Sequence, residues 1–222
     1  MKPSRTEPRP ARAAWRARSF GRPLPRAFYA RGVLTVARAL LGRLLVRRAR
    51  GGLQVGRIVE VEAYRAADDP ASHAFRGPTP RNRVMFGPPG HAYVYFTYGM
   101  HHCLNVVTGP DGEASAVLIR ALEPVAGLGA MRARRGRVAD AALARGPGNT
   151  ARALGLTRAL SGEDLTHDRL WISDLPPRRE GLRIARGPRI GIRVGTERPW
   201  RFWLAGHPSV SGPRGAASAV RR

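Results

Sequence analysis

Glu60 and Glu62 stand two residues apart in the run Arg57-Ile58-Val59-Glu60-Val61-Glu62-Ala63-Tyr64. In an extended chain that spacing puts both carboxylates and the Tyr64 ring on one face. A carboxylate so placed can take a proton from water or offset a growing positive charge. Further along come His73, then Tyr93-Val94-Tyr95-Phe96-Thr97-Tyr98, then Arg120 inside the apolar run Val117 to Leu122. Electron-rich rings attract flat and especially cationic groups. Rings, a carboxylate and an arginine in short strand-like runs point to chemistry on an extruded nucleic-acid base.

Elements must hold these groups in place. Val33 to Leu41 has apolar residues at helical spacing with Gly42 as a stop signal. Leu44-Leu45-Val46 and Gln54 to Ala63 flank Gly51-Gly52, the turn chemistry of a hairpin. Asp68 to Pro89 is rich in Pro, Gly, Asp and Arg and predicts a long irregular loop, the kind of segment that usually carries function. The aromatic run from Tyr93, Gly99 and the return Cys103 to Val107 predict a second hairpin with Tyr98 near its tip. Val117 to Leu122 continues the sheet and Ala126 to Ala144 predicts a helix interrupted by basic residues. Gly146 to Thr150 reads as a glycine-rich helix start, and Ile184 to Val194 with Trp200 to Leu204 supply the last strands. The fold expected is α+β: a single domain with a curved, mostly antiparallel β-sheet, a protruding β-hairpin and surrounding helices.

The bulk properties bound the partner. The 222 residues suit one domain, with 39 Lys+Arg against 15 Asp+Glu and a net charge of +24, a balance typical of proteins that neutralise phosphates. Lys2 is the only lysine, so part of the arginine excess reflects codon bias. A guanidinium cannot lose its proton to become a nucleophile, so the body of the chain offers no amine for a Schiff base. Residues 1–26 read as a disordered basic arm, 27–207 as the folded domain and 208–222 as a flexible basic tail. Cys103 is the sole cysteine, no signal-peptide pattern opens the chain, and no apolar run approaches the ~20 residues of a membrane span. A soluble cytoplasmic protein, nucleoid-associated through its charge, is expected. Cys103 fits no zinc spacing and is expected in a buried strand.

Taken in order, Glu62-Ala63-Tyr64, His73, Thr79-Pro80-Arg81-Asn82, Tyr93-Val94-Tyr95, Tyr98-Gly99-Met100, Asn105 and Arg120-Ala121-Leu122-Glu123-Pro124 resemble the alkyladenine (3-methyladenine) DNA glycosylase family, bacterial type, over about Ala27 to Ser211. The resemblance implies hydrolysis of the N-glycosidic bond of alkylated or deaminated purines flipped from double-stranded DNA, starting base excision repair without metal or cofactor. It makes Glu62 the residue that orients and deprotonates the attacking water, with Glu60 as the alternative base and salt-bridge partner, and Arg120 the holder of the water and a phosphate. Tyr64, His73 and Tyr95 match the residues that sandwich the base, Ala71 the backbone donor to purine N7, and Asn105 the residue that crowds the 2-amino group of guanine. Tyr98 matches the intercalating wedge, and Arg81, Asn82, Met100 and His101 fall among the DNA-contacting positions. A backbone carbonyl between Arg189 and Ile192 would hold the water. The chain departs from the pattern at His101 and His102, where some relatives carry larger aromatics, and at Asn149, where a lysine is expected.

Two other functions compete for the same residues. A bifunctional glycosylase and lyase needs an amine nucleophile, and only Lys2 or the N-terminus could supply one, so hydrolysis with an intact strand is expected. A non-catalytic basic RNA- or DNA-binding module would explain the charge, but gains nothing from Glu62, which repels phosphates. One DNA duplex needs one pocket face, so a monomer is expected.

Overall fold

The computed structural model describes residues 19–66, 68–97, 99–212 and 218–219 of the chain. Two short helices, α1 (Arg26–Tyr29) and α2 (Val33–Leu40), lead into the hairpin β1 (Leu44–Ala49) and β2 (Gly52–Arg65). After a long loop come β3 (Ala92–Thr97), β4 (His101–Val107), β5 (Ser115–Ala126), α3 (Leu128–Arg135) and α4 (Pro147–Leu154). The short strands β6 (Leu170–Ile172), β7 (Ile184–Gly187), β8 (Arg201–Leu204) and β9 (Ser218–Ala219) follow. Among the described residues every strand pairing is antiparallel, in the order β3-β4-β5-β2-β8-β7-β9, with β1 joining β2 to β6. The sheet is curled, and the fold is α+β as expected.

The curl has a local cause. One edge of β2 pairs with β5 along most of its length, while the other carries β1 up to Arg57 and then β8 from Glu60 to Glu62. Where the partner changes, the β2–β5 register slips twice: Ile58 faces Leu122, Glu60 faces Ala121 and Val61 faces Ile119. Val59 is thus the extra residue on β2 and Arg120 the extra residue on β5. Opposed bulges bend both strands and turn their side chains off the regular alternation. Glu60 and Arg120 sit at that irregularity.

The main core packs α2 against β2 and β5. Val33, Val36, Ala37 and Leu40 recur at helical spacing and are buried, so α2 covers the sheet with one stripe. Ile58, Val61, Ile119 and Leu122 meet it from β2 and β5, and each such burial contributes roughly 1.5–3 kcal/mol. No helix among the described residues is long and apolar enough to cross a membrane.

Several boundaries move from the sequence expectation. The helix foreseen over 126–144 is only Leu128–Arg135, stopped at Gly136, whose φ of 74° no helix accommodates. The strand foreseen from Ile184 to Val194 ends at Gly187, because Pro188 and the positive-φ Gly191 and Gly195 break the pairing. The folded body reaches further at both ends. Leu24 is buried and donates its N–H to Ile172 O at 2.9 Å, and Pro23 bridges to Ser173, so residues 23–26 cover the edge of β6. At the other end Ser209, Val210 and Ser211 are buried. These residues carry no apolar period of their own; they fold because the sheet edge and a buried carboxylate need backbone partners. Residues 1–18, 213–217 and 220–222 of the two expected tails lie outside the described residues.

Candidate active site

Glu60 and Glu62 are both fully buried, yet their surroundings differ. Glu60 Oε1 accepts from Arg201 Nε at 2.7 Å and Arg120 Nε at 3.0 Å, and its Oε2 from the Ser211 N–H at 2.7 Å. Glu62 Oε1 accepts from the Ile190 N–H at 2.7 Å and lies 3.2 Å from Arg120 Nη1, while Oε2 accepts from the Tyr64 hydroxyl at 2.8 Å. Arg120 therefore bridges the two carboxylates, and its Nη2 also donates to Ser211 Oγ at 3.2 Å. Burial works against the charge on Arg120, but Glu62 and Glu60 outweigh it and hold the guanidinium above its usual value. Burial, then the Glu62 charge and hydrogen bond, push the Tyr64 hydroxyl well above 10, so it remains a donor.

A cavity of about 430 Å³ opens in front of this cluster. That is within the ~300–1,000 Å³ of ordinary small-molecule sites. Tyr64, Arg120 and Ile190 form part of its wall, so Glu62 sits one hydrogen bond behind the surface. Tyr95 and Tyr93 lie with ring centroids 5.4 Å apart, and His73 meets Tyr95 edge-on at 4.5 Å. His73 Nδ1 is 3.1 Å from the Tyr93 hydroxyl, which orients the imidazole and leaves Nε2 as its available nitrogen. Burial, helped by Arg81, lowers the His73 pKa from 6.5 and keeps the ring neutral at physiological pH. Asn105 is buried in the wall, its amide tied to Tyr93 O at 3.2 Å, and Ala71 lines the same space. Cys103 is a buried strand residue, as expected, with burial raising its thiol.

Comparison with known proteins agrees with this geometry. Methylpurine-DNA glycosylase (MPG) is the family matched, over residues 27–208. The chain belongs to the methylpurine-DNA glycosylase family. It is 56% identical over 197 residues to a Frankia casuarinae protein named "Putative 3-methyladenine DNA glycosylase", covering 84% of this chain and 91% of that one. Proteins of the same name from Carboxydothermus hydrogenoformans and Methanoculleus marisnigri are each 52% identical, over 189 and 190 residues, covering 85% of this chain and 98% of theirs. The enzyme is thus a hydrolase of N-glycosyl bonds whose substrate is DNA.

Of the residues singled out in the sequence, the glycosylase fold brings Tyr64, Ala71, His73, Tyr95, His101, Asn105 and Arg120 to one cavity, with Glu62 behind it. Met100 is 69% exposed at the hairpin end, and Arg81 lies over the Tyr95 ring at 5.4 Å with Nη2 on Phe96 O at 3.2 Å. Tyr98 lies outside the described residues. Asn82 is a correction: it is 1% exposed and cannot present its amide to DNA. Its Nδ2 donates to His73 O at 2.7 Å and Gly77 O at 3.0 Å, and its Oδ1 accepts from Thr79 N at 2.6 Å, so it staples the long loop. Asn149 spends its amide on Arg145 O at 2.7 Å, inside the start of α4. His101 packs on that helix start at Gly148, where a Cβ would stand 2.9 Å from the imidazole.

Other wall residues had no sequence signal. The segment Arg189 to Ile192, expected to offer the water a carbonyl, gives the Ile190 N–H to Glu62 Oε1. The segment Ile190 to Val194 closes one side of the cavity although its pattern reads as strand. Tyr93 positions His73 and was visible only as part of an aromatic run. Asp69, in the acidic spot Asp68-Asp69-Pro70 of an arginine-rich chain, was the one unread signal.

Proposed function

We propose that the enzyme flips alkylated and deaminated purines out of duplex DNA into this cavity and hydrolyses their N-glycosidic bond, leaving an abasic site and an intact strand. The observation that carries the reading is where the partners of two adjacent buried carboxylates lie. Of the donors on Glu60, Arg201 and Ser211 stand away from the cavity wall. All three on Glu62 come from Tyr64, Arg120 and Ile190, which line it, so Glu62 is the carboxylate that serves a water in the cavity.

In the reaction the Glu62 carboxylate takes a proton from that water, the water oxygen bonds to C1′ of the sugar, and the bond electrons leave with the base. Positive charge grows on the sugar before the new bond is complete, and a carboxylate in a dry site stabilises it. Arg120, fixed by Glu60 and Ser211, sets a positive charge 3.2 Å from Glu62 Oε1 and holds the carboxylate in register. Tyr64, Tyr95 and His73 stack on the base, whose positive charge when alkylated favours aromatic faces. With no lysine in the body of the chain, no imine forms with the sugar, so the strand is not cut. One molecule carries every group the reaction needs, and the enzyme works as a monomer.

Single-turnover excision from duplexes bearing 7-methylguanine, hypoxanthine or ethenoadenine tests this, with strand integrity assayed before and after alkali. Base release with breaks only after alkali is expected. Tight binding without release from any lesion overturns it in favour of a binding module, and breaks before alkali overturn the monofunctional step.

A further inference from the structure

Behind the cavity lies an ion pair that the scheme above does not use. The side chains of Asp69 and Arg189 are fully removed from solvent and meet twice, Arg189 Nη1 to Asp69 Oδ2 at 2.5 Å and Nη2 to Oδ1 at 2.7 Å. Hiding two ions from water offsets most of their attraction, so an apolar pair would serve stability as well. A different use is suggested by what each ion is tied to.

Asp69 shapes the wall that would hold a base. Its Oδ1 also accepts from the Ala71 N–H at 3.2 Å and its carbonyl from the Ser72 N–H at 2.9 Å, forming the turn that delivers Ala71 and His73 to the cavity. Arg189 shapes the side that holds the carboxylate. Its Nη1 donates to Ala63 O at 3.0 Å, beside Glu62, and the next residue, Ile190, gives its N–H to Glu62 Oε1. Between the two walls stands Tyr64, with the Arg189 guanidinium 4.5 Å from its ring centroid. Arg189 itself does not reach the cavity wall.

We propose that Asp69 and Arg189 are positioning residues of the glycosylase, their two-point contact setting the distance between the base-holding turn and the Glu62 carboxylate. The inference rests on the reading that Glu62 activates water. A planar fork fixes orientation as well as distance, whereas an ammonium supplies only charge.

Arg189→Lys keeps the charge and loses the fork; Asp69→Glu keeps the charge and displaces the turn by one methylene. Single-turnover excision of 7-methylguanine is measured at saturating protein, well below each melting transition, beside the Kd for undamaged duplex. Both variants are expected to lose on the order of 10²-fold in rate, with undamaged-duplex Kd unchanged because the pair faces no solvent. A merely structural role lowers the melting temperature and leaves the rate constant of folded protein unchanged; that result overturns the proposal. Where a variant does not fold, the neutral combination Asp69→Asn with Arg189→Gln, which leaves no buried ion, decides by the same comparison. Native protein that excises nothing overturns the functional reading and this inference with it; native excision with unimpaired variants overturns the inference alone.

Discussion

Replacing Glu62 by Gln removes one negative charge and little volume, and the hydrogen bonds around it say how the amide must sit. Oε1 receives two donors, the Ile190 N–H at 2.7 Å and Arg120 Nη1 at 3.2 Å, so an NH2 group there would face donors only. The Gln carbonyl must take that position, which puts the NH2 at Oε2, opposite a Tyr64 hydroxyl that can rotate to accept. Arg120 keeps Glu60 at 3.0 Å as its counter-ion, so the guanidinium is not stranded. The fold therefore tolerates Glu62→Gln, and the loss falls on chemistry. A positioned general base contributes typically 10²–10⁴-fold. A single-turnover rate lower by about that factor is expected, or roughly 3–5 kcal/mol of barrier. DNA affinity should hold or improve, because one negative charge that repels the DNA polyanion is gone. The assay is excision of 7-methylguanine at saturating protein, paired with fluorescence anisotropy of the same duplex. A variant that folds, binds and keeps more than about a tenth of the native rate would falsify the assignment of Glu62 as the base.

Tyr64→Phe keeps the ring and deletes the hydroxyl on Glu62 Oε2; hydrogen bonds to charged groups are worth ~1.5–3 kcal/mol, so the excision rate should fall roughly ten- to hundredfold with lesion binding retained, and an unchanged rate would show that the hydroxyl plays no part in holding the carboxylate. Asn82→Ala leaves His73 O, Gly77 O and Thr79 N without a partner in a buried loop; a loss of about 2–4 kcal/mol and a melting temperature lower by roughly 5–15 °C should appear by calorimetry, whereas full stability with weakened DNA binding would restore Asn82 to the DNA interface. His73 is held neutral by a pKa lowered from 6.5, so its neutral ring is fully present above that pH and is lost as pH falls through the lower value. Excision of cationic 7-methylguanine relative to neutral hypoxanthine should fall along that acid limb as the ring becomes charged, and a constant rate ratio down the limb would rule out His73 as a contact of the base.

Much of the site was legible because it follows from short-range rules. Period-two spacing alone placed Glu62 and Tyr64 side by side, and they are joined at 2.8 Å. Glycines at 51 and 52, and the aromatic run closed by Gly99, announced both hairpins. The helical stripe of Val33, Val36, Ala37 and Leu40 marked the face that covers the sheet. The basic charge bounded the partner as a polyanion, and a single lysine near the start leaves the body of the chain without an amine for an imine.

Which carboxylate has its partners on the cavity wall does not follow from local spacing, because it depends on donors distant in sequence. Ser211 N–H, Arg201 and Arg120 converge on Glu60 from 151, 141 and 60 residues away. The family resemblance placed Asn82 among the DNA contacts; packing turns its amide inward, where the loop carbonyls need donors. The segment after Gly187 read as strand, and becomes a cavity wall only because Asp69 and Glu62 draw Arg189 and Ile190 across the end of β2. Local periodicity determines which residues share a face. Long-range satisfaction of buried charge and backbone donors decides which of them remain available for chemistry.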